Sequence, residues 1–260
     1  MSEKVRLGGM ALVNGVLVHG PTSWAVAVRK EDGTLKVAGE RKRFVGSGVT
    51  NPLVRGPLKL IEAFAFLPRM KRVVPEAKLP FERPGVVAGM LGSAIAVQSI
   101  RRSRLGPATQ EVAAGAIALL PALLALRGGT LAAYHGAEHI SIGTYEHGEP
   151  RAKEHERCGS HLVGPLLATT AAGNALAARA PAHARTAARA AATVGAVAAA
   201  TEIFGWMQRH PGHPLAAALA KPGHELQHRI ATAEPTAEQL EVAEAALRKC
   251  LELEGGDAHT

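Results

Sequence analysis

Aromatic residues make up only 3% of the 260 residues, and there are two cysteines, Cys158 and Cys250. So few rings exclude a conventional β-sandwich, which needs more bulk in its inner faces. Two cysteines exclude a disulfide framework and point to a reducing compartment or a ligand role. No phosphate-binding glycine loop of the Walker or dinucleotide type is present, nor a repeat of solenoid type. No cleavable signal peptide is expected, because the start, Met1 to Arg6, is charged and no apolar core with a small-residue cleavage site follows. What abounds is alanine, about a fifth of the chain, within a hydrophobic content of 47%. That excludes disorder throughout and leans the chain towards helix.

The formal charge of +8 is all N-terminal: residues 1–84 hold 15 Lys and Arg against 7 Asp and Glu, and the remainder holds 15 of each. A basic region ahead of apolar stretches fits the positive-inside bias of a membrane protein. It also fits contact with anionic lipid headgroups, a protein partner or RNA. Basic motifs interleaved with aromatics are missing, which disfavours nucleic acid.

Along the chain, residues 8–38 read as β. Val16 to Val18, Ala25 to Val28 and Leu35 to Val37 are short strands, and Glu31-Asp32-Gly33-Thr34 supplies a hairpin turn. Gly8-Gly9 reads as a turn signal. Asn51-Pro52 opens a helix whose stripe of Leu58, Ile61, Phe64 and Leu67 packs on the β layer or lies on a membrane surface. Four weakly charged stretches follow, 84–100, 112–134 (with only Arg127 charged), 158–178 and 190–208 (with only Glu202 charged). Each approaches the roughly 20 residues that cross a bilayer. A soluble all-α bundle with alanine-packed interfaces has the same pattern. Pro211, Pro214, Pro222 and Pro235 punctuate an irregular tail. A final helix opens with a capping box from Thr236 to Gln239, lines Leu240, Ala243, Leu247 and Cys250 on one face, and ends at Gly255-Gly256.

The chemistry concentrates in histidine. His135-Gly136-Ala137-Glu138-His139 places two imidazoles at i and i+4, so one helix face can offer both to a divalent metal, most simply zinc. Glu138 beside them can act as general base towards water, the order found in inverted zinc hydrolases. His155 and Cys158 are a second plausible ligand pair, making a candidate His₃Cys set, and Glu146 is an oxygen ligand or a supporting partner. The alternative is that these side chains cap a polar loop between helices. His224-Glu225-Leu226-Gln227-His228 matches the H-E-x-x-H pattern of zinc proteases but needs a third ligand downstream, for which Glu244 is a candidate. His19, His161, His183, His210, His213 and His259 carry no usable spacing, and Cys250 belongs to a core.

Gly8-Gly9-Met10-Ala11-Leu12-Val13-Asn14-Gly15-Val16, followed by His19-Gly20-Pro21, resembles the opening signature of the YqhQ-like family. Leu53 to Gly56 with Glu62, His135 to His139 with Tyr145-Glu146, His155 to Ser160, and Glu234-Pro235-Thr236 agree in order. The resemblance runs from about residue 7 to 253. It implies a bacterial integral membrane protein of unassigned activity, often labelled a predicted metal-dependent enzyme. The family usually has Gln and Glu where Met10 and Asn14 stand, and Cys at Thr144. The expected architecture is therefore mostly α: a polytopic helical membrane protein of about four spans. Its parts are a basic β-hairpin and amphipathic-helix region at 1–83, membrane helices over 84–208 with a His-rich loop at 135–157, and a cytosolic tail at 209–260 with a helix at 236–254. Charge and span count then put both termini and the histidine cluster on the cytosolic side of the cell membrane. Two functions remain open, a metal-dependent hydrolase and a membrane scaffold with a structural metal.

Overall fold

The computed structural model describes residues 4–42, 48–126 and 129–255; Met1, Arg127, Gly256 and His259 lie outside the described residues. Four strands, β1 (Gly8–Leu12), β2 (Gly15–His19), β3 (Ser23–Arg29) and β4 (Leu35–Arg41), form an antiparallel meander in chain order. Gly8-Gly9 therefore opens a strand rather than a turn, while Gly33 takes the positive φ of 81° that the β3–β4 turn requires.

The sheet is covered on both faces, and its period-2 pattern shows how. Leu12, Leu17, Trp24, Val26 and Val28 pack against Phe66, Leu67, Met70 and Val74, on and around the short helix α2 (Leu67–Val73). Ala11, Val16, Val18, Ala25 and Ala27 face the other way. They meet Tyr134, Ala137 and Ile142 of α6 (Thr130–His147) and Val242, Ala246 and Cys250 of α10 (Ala237–Gly255). The face under α2 carries the bulkier leucines, valines and tryptophan, while three alanines among the five residues of the other, the alanine face, let two long helices approach it closely.

α10 is fixed at both ends. The Thr236 N–H donates to Gln239 Oε1 at 2.9 Å and the Gln239 N–H returns to Thr236 Oγ1 at 3.3 Å, a reciprocal cap. At the last turn, Glu254 accepts the N–H and hydroxyl of both Thr22 and Ser23 at 2.7–2.9 Å. Burial raises the Glu254 carboxyl, but these four donors outweigh it and hold the pKa below its usual value. Much of the N-terminal positive charge is paired within the fold, as in Arg29–Glu241, Lys36–Glu76 and Lys78–Glu31.

The remaining helices are α1 (Pro52–Ala65), α3 (Pro84–Arg102), α4 (Pro107–Ala118), α5 (Leu120–Leu126), α7 (Val163–Ala178), α8 (Arg185–Arg209) and α9 (Pro214–Leu226). The four-span expectation is not met. Among the described residues only Thr109–Leu126 and Arg185–Arg209 are long and apolar enough to cross a membrane. Residues 84–100 are diluted by Gly85, Gly89, Gly92, Ser93, Gln98 and Ser99 within α3. Residues 158–178 begin with a 3₁₀ turn, Gly159–Leu162, which leaves α7 16 residues, about 24 Å long against a hydrocarbon core of about 30 Å. In the two windows that qualify, only 11% and 22% of the residues are buried within the chain. That low burial is unlike the core helix of a soluble bundle.

Each window carries an acidic residue, and each is paired. Arg101 of α3 and Asn174 of α7 reach Glu111 at 2.9 and 3.0 Å. Arg55 of α1 grips Glu202 of α8 with two bonds, at 3.1 and 2.5 Å. Pro121 cannot donate to the Ile117 carbonyl, and the Ser93 hydroxyl of α3 supplies a donor there at 2.8 Å.

Three further expectations change. α1 packs on α8, where a Cβ on Gly56 would overlap Thr201, while Ile61 and Phe64 stay exposed; α2 is the helix that covers the sheet. The segment 135–157 is not a loop throughout, because α6 continues to His147, where Gly148 ends it at φ 78°. The tail is not irregular: α9 runs through Pro222 and passes into a π turn, Gln227–Ala231.

Candidate metal centre

α6 lies against the alanine face of the sheet, so its Glu138 and His139 are buried. One helical turn apart, the His135 and His139 rings stand 4.3 Å centre to centre. Nδ1 of His135 lies 2.8 Å from the Ala231 carbonyl, and Nδ1 of His139 lies 2.6 Å from the Lys153 carbonyl. A carbonyl only accepts, so each Nδ1 carries the proton and each Nε2 is a bare lone pair. One ring nitrogen of each histidine and Cys158 Sγ lie within 4.8 Å of one another. The thiol is 3.5 Å from His135 Nε2, to which it donates.

Burial, with the nearby His135 adding to it, lowers the His139 pKa to about 2, which keeps the ring neutral as a ligand must be. Burial raises the Cys158 thiol. Burial also lifts Glu138 to about 7, with Cys158 adding to the rise and His135 opposing it. Its carboxyl has no hydrogen-bond partner among the described residues. Two neutral imidazoles, a half-buried thiol and an unpartnered buried carboxyl are a donor set that fits a divalent cation, whose charge would offset the cost of ionising the last two.

His155 is near but engaged. The Arg157 N–H donates to its Nδ1 at 3.3 Å, so Nε2 carries the proton and donates to Glu146 Oε2 at 3.1 Å. Glu146 also pairs with Arg157. Both residues thus sit beside the three converging donors and hold the 155–158 segment. The second motif is not drawn together in this way. His228 donates to Glu154 at 2.9 Å, Glu225 pairs with Arg229, and Glu244 pairs with Arg248 on α10.

Sequence reasoning overlooked two residues. Gln227 is fully buried and clamps the 155–160 segment, accepting the His155 N–H at 2.8 Å and donating to Ser160 Oγ at 2.8 Å and the His155 carbonyl at 3.2 Å. It sits inside the H-E-x-x-H motif, where attention falls on the histidines; π turns of this kind often mark functional sites. Gly9 is the other, since a Cβ there would meet the Glu138 carboxyl. Both Gly9 and Glu138 line a cavity of about 410 Å³ with His135, His139 and Cys158.

Residues 130–253, from the start of α6 into the end of α10, match the model of a family described as a protein of unknown function (DUF1385). No curated protein and no solved structure matches the chain. The matched segment holds the three converging donors, Glu138 and Gln227, and leaves out the sheet that supplies Gly9.

Proposed function

We propose that the protein is a membrane-located, metal-dependent hydrolase, YqhQ-like in its sequence signature. The observation that carries this reading is the convergence of the His135 and His139 rings and Cys158 Sγ beside the buried Glu138. A bound zinc or similar divalent ion would supply Lewis acidity towards water and a scissile carbonyl. His135, His139 and Cys158 would hold it, the last after losing its proton. The Ala231 and Lys153 carbonyls fix the two imidazoles in the ligating tautomer. Three protein donors leave a coordination position open, which is the habit of catalytic rather than structural zinc sites. Glu138 takes the proton of the attacking water; burial by itself raises its carboxyl, and the charge of a bound cation would favour the ionised form that a base needs. The two long apolar helices support the membrane location.

The competing reading, a scaffold with a structural ion, parts from this one at Glu138. Plasma mass spectrometry of detergent-purified protein should find about one divalent ion per chain, lost in His135→Ala/His139→Ala. Glu138→Gln should keep the ion and abolish turnover of a panel of fluorogenic esters and amides. A well-folded native protein without metal would overturn the proposal. So would Glu138→Gln that hydrolyses as fast as the native chain.

A further inference from the structure

The cavity at Glu138 is bordered by two runs of consecutive residues, Leu7 to Ala11 along β1 and Arg157 to Ser160 opposite. Side chains alternate across a strand, so a cavity that touched one face of β1 would meet every second residue. Contact with every residue in the run means that the strand presents its edge. β1 is one of the two edge strands and, among the described residues, pairs with β2 alone. Among the described residues, no backbone hydrogen bond joins residues 8–11 to anything beyond that ladder. The outward N–H and C=O groups are therefore available to an added strand. Gly8 and Gly9 leave both faces of the strand bare beside His19 and Glu138, so the main chain is reached without side chains in the way, and Leu126, Leu131 and Ile142 supply an apolar wall.

From this placement we infer that the substrate is a polypeptide segment in extended conformation. It adds to β1 as a fifth strand, between β1 and residues 157–160, and carries its scissile amide over Glu138. The inference rests on the hydrolase reading and names its substrate class. Main-chain bonds to β1 give affinity, and the apolar wall selects small or branched apolar side chains. In the reaction the water oxygen bonds to the amide carbon and Glu138 takes the water proton. The C–N bond then breaks and the proton passes to the departing amine, leaving a carboxylic acid and an amine.

The test uses the full chain in detergent micelles with acetyl-Leu-Ala-Leu hydroxamate as probe. Octanohydroxamate, which offers an alkyl chain and no strand, is the comparison. Saturation with the peptide should slow hydrogen exchange of amides within Gly8–Ala11 at least tenfold. N-methylation of the peptide at alternate residues should weaken binding roughly tenfold per lost bond, and at the intervening residues should do little. Unchanged exchange at β1 would overturn the inference. So would octanohydroxamate that binds as tightly as the peptide, together with indifference to N-methylation, because the cavity would then be a slot for an alkyl chain. The same peptide with a plain C-terminal amide, added to metal-stripped protein, separates the two readings. Protection of β1 in a chain that holds no metal when purified would sink the hydrolase and leave the strand site standing. Bound metal with an unprotected β1 would do the reverse.

Discussion

Gly9 lies so close to Glu138 that a Cβ at residue 9 would collide with Oε1 of its carboxyl. The strand that opens the chain therefore sets the position of a carboxyl on a helix more than a hundred residues later. Gly9→Ala should push that carboxyl out of place while leaving His135, His139 and Cys158 untouched. A misplacement of about 1 Å can cost about 100-fold in rate. The expected result is native metal content, a melting temperature within a few degrees of the native chain (about 1 kcal/mol or less), and hydrolysis reduced about 100-fold. Unaltered hydrolysis would show that Gly9 does not govern Glu138.

Gln227→Leu removes three hydrogen bonds and leaves the His155 N–H and the Ser160 hydroxyl without their partner. Each group so orphaned costs about 1–3 kcal/mol. Because the segment it clamps carries Cys158, metal affinity should fall about 10- to 100-fold. Competition with a zinc chelator measures this directly, and native affinity in the variant would refute the clamp.

Burial, helped by Lys42, lowers the His19 pKa from 6.5 to about 4. The unfolded chain then binds a proton at this site that the folded chain refuses. Its contribution is full above pH 6.5 and is lost as the pH falls towards 4. The loss is about 3 kcal/mol across that window. Thermal melts from pH 7 to 4 should therefore fall more steeply for the native chain than for His19→Gln. Parallel curves would dismiss His19 as the source.

Arg55→Ala leaves Glu202 without its cation in a helix apolar enough for a membrane. Breaking such a pair costs about 3–5 kcal/mol where it is desolvated. The single variant should be poorly recovered in the membrane fraction, and Arg55→Ala/Glu202→Gln should restore it. Equal recovery of all three chains would make the pair a surface contact.

The strand cores at Val16 to Val18 and Ala25 to Val28 were legible from their valine-rich apolar runs, within β2 (Gly15–His19) and β3 (Ser23–Arg29), and the reciprocal cap at Thr236 was legible from four residues. The i,i+4 spacing of His135 and His139 identified their shared helix face. The partners that set their tautomers were invisible, since Ala231 and Lys153 contribute backbone carbonyls, which no side-chain pattern encodes. Span number was misread because apolar length was counted without helix ends: the 3₁₀ turn at Gly159 shortens α7, and glycine and polar residues dilute α3. Gly9 could be read only once Glu138 was seen above it.

α10 is synthesised after every other described element, and its last turn brings Glu254 to the waiting N–H groups of Thr22 and Ser23. Until then Val16, Val18, Ala25 and Ala27 lack the cover that Val242, Ala246 and Cys250 give them. Closing this face therefore needs contacts between segments more than two hundred residues apart in the chain, and such contacts are costly in loop entropy and slow to form.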